Sequence, residues 1–362
     1  MNKIKVMIVD DSFFVRALLR KMLENDDPKN RFEVVASAID GEDALRKLRT
    51  QEIDVITLDI EMPIKNGIDT LKEIMKINPK PTIMLSSLTK SKESAKTIEA
   101  LSLGAVDFVG KPDENFSLNQ LKDEIYEKLE AASKIKPTKM KLFQTPPPPP
   151  LKETFSFPFK REEKQVHSLI LIGCSTGGPK ALGHLITQLP ADLPAAIVVV
   201  QHMPEGDHTK NLAKLLNPKS NFEIKEAEDG EELVDGKMYI APAGFHTEIY
   251  KQLNKYRIVL NRRDPVSGHR PSVDVLFSSV AKLNLSIPVF ATVLTGMGSD
   301  GANGSGELHQ KGIPVIAESE RTAIIYGMPK QVAVRGYATY QEDLHNVIPK
   351  LCQLVKKSMH GY

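Results

Sequence analysis

The sequence predicts an α/β protein with two domains joined by a linker. The length of 362 residues exceeds what a single hydrophobic core usually serves. Short apolar runs alternate with helical patterns along most of the chain, and five consecutive prolines at residues 146–150 interrupt that alternation. We therefore expect an N-terminal domain over residues 1–130, a linker over 131–166 and a C-terminal domain over 167–358.

The first domain is predicted to be a flavodoxin-like, doubly wound fold with a five-stranded parallel sheet. Its apolar runs are rich in Val, Ile and Leu and lack polar alternation, which is typical of parallel strands buried on both faces. Five runs alternate with five helical patterns, and the short connections suit right-handed crossovers. The predicted strands are residues 5–9, 33–36, 55–58, 82–85 and 105–109, and the last helix is residues 118–132.

The proline run at residues 146–150 predicts a semi-rigid linker. Proline lacks the backbone N–H donor and favours the extended polyproline II conformation. Such a run can also bind an aromatic-lined groove, but the flanking sequence offers few cues for that alternative. We expect a spacer.

The alternation resumes at residue 168 and predicts a second α/β domain with a mainly parallel sheet. The predicted strands are residues 168–173, 195–200, 237–241, 256–260, 287–294 and 313–317, and the predicted helices are residues 179–188, 207–216, 273–283 and 300–310. We find no internal repeat between the two halves and no basic helix-turn-helix pattern.

Composition excludes several classes of protein. The 48 Lys and Arg residues nearly balance 46 Asp and Glu residues, so no basic excess points to nucleic acid or to an anionic membrane. Two cysteines are too few for a disulfide framework and fit a reducing compartment. We expect a cytoplasmic protein without a signal peptide or a membrane-inserted segment.

Carboxylates gather at the predicted strand ends of the first domain. Asp10 and Asp11 follow the first strand and Asp59 follows the third, and the carboxyl ends of parallel strands meet at one edge of the sheet. Their oxygens suit Mg²⁺, beside which Asp59 could accept a phosphoryl group. Lys111 would supply a cation and Ser86 a hydroxyl at the same edge. Each residue alone could instead be a helix cap or part of a turn.

Together, the motifs VDDS, LDIEMPIKNG, SS and GKP resemble the receiver domain of two-component response regulators over residues 1 to about 125. The resemblance implies that Asp59 is the phosphorylated aspartate. It also implies that Asp11 and the main-chain carbonyl of Glu61 bind the metal, and that Phe108 is the aromatic residue that reorients on activation.

In the second domain, residues 173–177 read G-x-S-x-G between a predicted strand and a predicted helix, the context of a nucleophile elbow. The glycines permit a sharp turn that presents Ser175, and N–H groups at the helix start could stabilise an oxyanion. The alternative is a glycine-rich loop that binds phosphate or a dinucleotide.

A serine nucleophile needs a base and an acid that orients the base. Among nine histidines, His202 follows a strand at the same sheet edge as Ser175, whereas His208, His246 and His269 in loops remain substitutes. Asp300 follows a later strand within a glycine-rich loop and could orient the imidazole or cap the next helix.

In combination, the motifs GCSTGG, VVVQHMP, LTGMGSDGANG and YGMP resemble the catalytic domain of the chemotaxis protein-glutamate methylesterases over residues 168 to about 355. The resemblance implies a triad of Ser175, His202 and Asp300, with Thr176, Gly177 and Met297 near the nucleophile and the oxyanion. We interpret the neighbouring Cys174 as a small buried hydrophobe.

The resemblance implies an enzyme that hydrolyses glutamate γ-methyl esters, and deamidates glutamines, on methyl-accepting chemotaxis receptors. It implies activation by a chemotaxis histidine kinase that phosphorylates Asp59 with Mg²⁺ bound, and no cofactor at the hydrolase site. Two other classes fit less well. A regulator without catalysis would lack the triad, and a DNA-binding regulator would need a basic recognition helix. A general esterase for small molecules is the stronger alternative.

Overall fold

The structure is a computed structural model that describes residues 3–86, 91–111, 118–136, 139–140, 157, 165–253 and 255–359. The chain divides into two compact units, Met1–Thr145 and Pro146–Tyr362. The proline run at residues 146–150 and much of the predicted linker lie outside the described residues. The spacer interpretation and the domain boundaries at residues 130 and 166 therefore stay predictions.

The first unit contains a five-stranded parallel sheet with the order β2-β1-β3-β4-β5. Its strands are β1 (Ile4–Val9), β2 (Phe32–Ala38), β3 (Val55–Asp59), β4 (Thr82–Ser86) and β5 (Asp107–Gly110). Its helices are α1 (Phe13–Glu24), α2 (Gly41–Leu48), α3 (Gly67–Ile77), α4 (Ser91–Leu103) and α5 (Leu118–Ser133). The predicted doubly wound fold is confirmed.

The second unit contains a seven-stranded parallel sheet, ordered β14-β13-β12-β6-β7-β9-β8, and an antiparallel hairpin of β10 and β11. The strands are β6 (Leu169–Cys174), β7 (Ala196–Gln201), β8 (Glu223–Glu226), β9 (Lys237–Ile240), β10 (His246–Gln252), β11 (Lys255–Asn261), β12 (Val289–Val293), β13 (Val315–Glu318) and β14 (Tyr340–Glu342). The helices are α6 (Gly178–Ile186), α7 (His208–Leu216), α8 (Val273–Ala281), α9 (Ala302–Gln310), α10 (Met328–Val334) and α11 (Leu344–Met359).

Three strands of the second unit were not predicted from its apolar runs. β8 has the sequence EIKE, a charged pattern that an edge strand tolerates. β14, at the opposite edge, is only three residues long. β10, with the sequence HTEIYKQ, pairs with β11, which we predicted as a strand without its hairpin partner.

Several element boundaries differ from the predicted ones, and two of these differences have clear local causes. β5 begins at Asp107 because the N–H of Ala105 donates to the Ala100 carbonyl (3.1 Å) and so completes the end of α4. The helix predicted over residues 300–310 begins at Ala302, since Gly301 has a φ of 89°. The preceding residue, Asp300, therefore lies outside the helix.

A large apolar cluster of the second unit lies between the sheet and helices α8 and α9. Val273 and Phe277 of α8 are fully buried, as is Leu308 of α9. A Cβ built on Gly173 would lie 2.7 Å from Cγ2 of Val273, so α8 begins in direct contact with the end of β6. Among the helices that the structure describes, none is long and apolar enough to cross a lipid bilayer.

Candidate functional site

Ser175 lies in a tight turn between β6 and α6. Its N–H donates to the Thr295 carbonyl (3.0 Å), and its carbonyl accepts from the N–H of Gly178 (2.7 Å). Gly177 has a φ of 80° and precedes a helix whose first turn has no side-chain cap. Only glycine adopts this conformation readily, and the helix start offers N–H groups near Ser175. The local structure is the strand-turn-helix that the G-x-S-x-G pattern predicts.

His202 lies beside this turn at the same edge of the sheet. Its N–H donates to the carbonyl of Cys174 (3.0 Å), directly after the last paired residues of β6 and β7. The imidazole Nε2 lies 2.7 Å from Oδ2 of Asp300. The other ring nitrogen, Nδ1, is buried and has no hydrogen-bond partner within the described chain. With Nε2 bonded to the acid, Nδ1 is the nitrogen left for a serine, the reverse of the chymotrypsin arrangement.

Asp300 is 1% exposed and is held at the start of α8. Its carboxylate accepts from Ser272 Oγ (2.8 Å), from the N–H of Val273 (2.7 Å) and from the N–H of Asp274 (3.1 Å). Burial alone would raise its pKa, but the hydrogen bond and charge of His202, with these donors, lower the pKa to about 2. The group is thus a carboxylate at neutral pH, oriented by a helix start.

Asp274 makes the reciprocal interaction with α9, the helix that follows Asp300. It accepts from the N–H of Gly304 (2.7 Å) and from Nδ2 of Asn303 (3.2 Å). Burial, with the nearby charge of Asp300, raises its pKa to about 6. Each helix therefore receives a carboxylate from the chain segment at the start of the other.

The other residues predicted near the nucleophile lie around the same turn. Thr176 is buried, and its carbonyl accepts from Oγ1 of Thr295 (2.9 Å). Met297 is half-buried and follows Gly296, on which a Cβ would lie 2.8 Å from Cβ of Ser175. A contact between the Met297 side chain and Ser175 stays a prediction.

The alternative histidines occupy other environments. His269 stacks on the His202 ring with centroids 3.8 Å apart. Nε2 of His246 lies 3.0 Å from the Asp264 carbonyl. Burial lowers the pKa of His208 to about 4. Of the three, His269 is the one that stacks on the imidazole that bonds Asp300.

A second histidine–aspartate pair lies at the opposite end of the sheet. Nδ1 of His167 is 2.6 Å from Oδ2 of Asp235. His167 precedes β6, whereas Ser175 follows it, so six strand residues, roughly 20 Å at 3.3 Å per residue, separate the two positions. This pair is too far from Ser175 to act as its base.

Cys174 adjoins Ser175 but is fully buried, and burial raises the pKa of its thiol. Its Sγ lies 3.0 Å from Oε1 of Gln201. A neutral, buried thiol is a poor nucleophile, in agreement with our interpretation of Cys174 as a small hydrophobe.

In the first unit, Asp10, Asp11 and Asp59 offer oxygens within 4.8 Å of one another. Asp10 and Asp59 are buried, and Asp11 is exposed. Lys111 Nζ lies 3.0 Å from Oδ2 of Asp10 and 2.7 Å from Oδ2 of Asp59. Burial raises the pKa of Asp59 to about 6, although Lys111 acts in the opposite direction. The structure therefore brings together the side chains predicted to meet at this edge, which are Asp10, Asp11, Asp59 and Lys111.

This residue set fits a divalent cation. Three carboxylates and one ammonium leave two net negative charges, and all the acidic ligand atoms are oxygens, which Mg²⁺ prefers. The N–H of Glu61 donates to Oδ1 of Asp59 (3.3 Å), so the residue whose carbonyl we predicted as a ligand lies at the cluster.

Ser86 and Phe108, predicted to support phosphorylation, are both buried. Ser86 Oγ lies 2.7 Å from Oγ1 of Thr97 in α4, and Thr97 Oγ1 donates to the Glu93 carbonyl (2.9 Å). Because the single hydroxyl proton of Thr97 is used on Glu93, Ser86 is the donor to Thr97. The Ser86 hydroxyl is therefore directed at α4.

Several residues that shape the candidate site were not predicted from the sequence. Thr295 holds the serine turn through its carbonyl and its hydroxyl. The hydroxyl of Ser272 donates to Asp300. Serine is a common N-cap residue and stands directly before α8, so the sequence did offer a signal for a role of Ser272 at this helix start. Gln201 and Thr295 stand inside the motifs VVVQHMP and LTGMGSDGANG, where we assigned no role to them.

Comparisons with known proteins agree with this architecture. The CheB methylesterase model matches residues 170–351, and the response regulator receiver domain model matches residues 6–125. A protein-glutamate methylesterase/protein-glutamine glutaminase of Halalkalibacterium halodurans is 46% identical over 362 residues, which cover 97% of this chain and 99% of the relative. A Thermotoga maritima relative of the same name is 42% identical over 354 residues, covering 97% and 98%.

The crystal structure of the Thermotoga maritima CheB methylesterase catalytic domain aligns with a TM-score of 0.50 and 43% identity, covering 52% of this chain and 98% of that chain. These matches confirm the expected family, fold class and enzyme class. The chain is a member of the CheB family of protein-glutamate methylesterases/protein-glutamine glutaminases, with an N-terminal receiver domain.

Proposed function

We propose that Ser175, His202 and Asp300 are the triad with which this enzyme demethylates glutamate γ-methyl esters, and deamidates glutamines, on methyl-accepting chemotaxis receptors. The observation that carries the proposal is the pairing of His202 Nε2 with the buried carboxylate of Asp300, which leaves the buried Nδ1 without a hydrogen-bond partner in the described chain. The receptor substrate is inferred from the family and from the names of the relatives.

In the proposed reaction, His202 Nδ1 takes the proton of Ser175 Oγ as that oxygen attacks the γ-carbonyl carbon. N–H groups at the start of α6 stabilise the oxyanion. The intermediate collapses, the C–OCH₃ bond breaks, and His202 returns the proton to the methanol oxygen. Water, deprotonated by the same nitrogen, then releases the glutamate carboxylate and restores the serine hydroxyl. With glutamine, ammonia leaves instead of methanol.

Asp300 supports this cycle by its charge and its fixed position. The carboxylate keeps the proton of the resting imidazole on Nε2, so that Nδ1 is the free base, and it stabilises the imidazolium that forms. The lowered pKa of Asp300 means that the acid stays ionised throughout the neutral range. Asp300 itself takes up no proton.

We further propose that phosphorylation of Asp59 by a chemotaxis histidine kinase raises the hydrolase activity. Mg²⁺, held by Asp10, Asp11, Asp59 and the carbonyl of Glu61, would neutralise charge on the transferred phosphoryl group. Lys111 Nζ, already 2.7 Å from Asp59, stays at the site as a cation for the phosphoryl oxygens.

Phosphorylation adds nearly two negative charges to the pocket. In the proposed switch, Ser86 turns its hydroxyl from Thr97 to a phosphoryl oxygen, and Phe108 is repositioned. The cytoplasmic location and the absence of a nucleic-acid partner stay predictions.

The proposal is tested by methanol release from methylated receptor membranes, with and without Mg²⁺ and acetyl phosphate. We expect the phosphodonor to stimulate the wild type and the control Asp69→Ala, which removes an exposed aspartate of α3, but not Asp59→Ala. An intact protein that carries the phosphate without responding would contradict the switch and leave the hydrolase assignment standing. Faster turnover of a simple methyl ester than of receptor would favour a general esterase.

A further inference from the structure

We infer that Gln201 is a positioning residue for the proposed nucleophile and base. Gln201 ends β7 and is 2% exposed. Its Nε2 donates to the carbonyl of Ser175 (3.0 Å) and to the carbonyl of His202 (3.0 Å). A side-chain amide has two N–H donors, and both are used here. One planar group therefore ties together the main chains of the two residues between which the proton must move.

The orientation of this amide is fixed by its third partner. Oε1 accepts from Sγ of Cys174 at 3.0 Å. The reversed orientation would place the amide oxygen against the two carbonyl oxygens of Ser175 and His202, which are all acceptors. The thiol and the carbonyls thus select the same orientation.

Close packing also prevents the amide from moving. A Cβ on Gly178, the first residue of α6, would overlap Oε1 of Gln201 and lie 2.9 Å from its Cδ. Only glycine leaves room for the amide at this point. Gln201 therefore contacts the end of β6 and the start of α6 while belonging to β7.

The place of these bonds in the sheet points to positioning. The strands β6 and β7 are already joined over six residue pairs, and the Cys174 carbonyl accepts the next N–H, from His202. Beyond that bond the chains continue into the serine turn and the loop after His202. The Gln201 amide extends the connection there, where general-base catalysis needs Ser175 Oγ and Nδ1 within hydrogen-bond reach.

This inference rests on the proposed triad, and Gln201→Met tests it in the full-length protein. Methionine has a similar length but no donor. A nucleophile misplaced by about 1 Å loses roughly 10²-fold in rate, so we expect kcat for methanol release to fall about 10²-fold, with KM changed by less than about twofold. A fluorophosphonate probe should still label about one serine per chain, but with a rate constant reduced by a similar factor.

The matched control is Gln188→Met, which makes the same change at a half-buried glutamine bonded to His184, and it should keep the wild-type kcat. A Gln201→Met enzyme with kcat within about threefold of wild type would overturn the inference. The inference would also be overturned if kcat fell by the same factor as the number of labelled chains while the labelling rate constant stayed unchanged. Such a result indicates a loss of folded protein and not a misplaced nucleophile.

If Gln201→Met does not fold, Gln201→Glu provides the second test. Burial at this position, which is 2% exposed in the wild type, raises the pKa of the introduced carboxyl. A protonated carboxyl donates one hydrogen bond and a carboxylate none, so activity relative to wild type should rise as the pH is lowered from about 8 to about 5.5. A constant ratio would contradict the positioning role. Ser175→Ala distinguishes failure of the proposed triad from failure of the Gln201 inference. If the probe still labels that variant, the proposed function fails whatever the effect of changing Gln201.

Discussion

Gly296→Ala tests how closely the loop after β12 packs against the nucleophile. The new Cβ would lie 2.8 Å from Cβ of Ser175 and would overlap Sδ of the fully buried Met328. Carbon atoms in contact are usually about 3.5–4.0 Å apart, so Ser175 or the loop must move by roughly 1 Å. Misplacement by this distance predicts a loss of about 10²-fold in kcat, and overpacking destabilises by about 1–3 kcal/mol.

The assay is methanol release, with thermal unfolding as the measure of stability. Gly183→Ala is the matched control, because its Cβ would meet only Cδ2 of Leu216, at 3.9 Å, in the interior of α6. The control should gain up to about 1 kcal/mol of stability and keep wild-type kcat. If Gly296→Ala retains kcat within about threefold and the wild-type Tm, the reasoning from this close approach is wrong.

Three further predictions follow from the two sites. In methanol release, His202→Ala should reduce kcat by about 10⁶ and Asp300→Asn by about 10⁴; near-wild-type activity in both would remove the triad assignment. Because the pKa of Asp300 is lowered to about 2, its charge stabilises the folded state above the unfolded pKa of 3.8, and the effect is lost as pH falls through 2. The difference in unfolding free energy between wild type and Asp300→Asn should therefore shrink from pH 5 towards pH 2.5. A difference that stays constant over this range would contradict the lowered pKa of Asp300. Thr97→Val removes the acceptor of the Ser86 hydroxyl, and the lost hydrogen bond is worth about 1 kcal/mol. The hydroxyl then turns to the phosphoryl group at a lower cost, so half-maximal activation should need less acetyl phosphate. A higher requirement for acetyl phosphate would contradict this prediction.

The strand-end positions of the sites could be predicted because parallel strands carry their carboxyl ends to one edge. This rule alone placed Asp10 with Asp59, and Ser175 with His202, before any contact was known. Apolar runs predicted the buried strands well, whereas β8 and β14, at the edges of the second sheet, carry too few apolar residues to be recognised.

The finer geometry depends on contacts that no local pattern encodes. The choice of Nε2 for the bond to Asp300 follows from where the start of α8 holds the carboxylate. The link between Asp274 and Gly304 joins residues 30 positions apart. Gln201 lies within the motif VVVQHMP, but the partners of its amide are set by the approach of β6 and α6.

The exchange of carboxylates between α8 and α9 has a consequence for local unfolding. The N–H of Val273 is bonded to Asp300, and the N–H of Gly304 is bonded to Asp274. Neither helix end can fray without withdrawing the acceptor that covers the other. Hydrogen exchange should therefore report one cooperative opening, with similar protection free energies at both amides. The acid of the proposed triad would then be lost and regained together with the ends of two helices, as a single foldon.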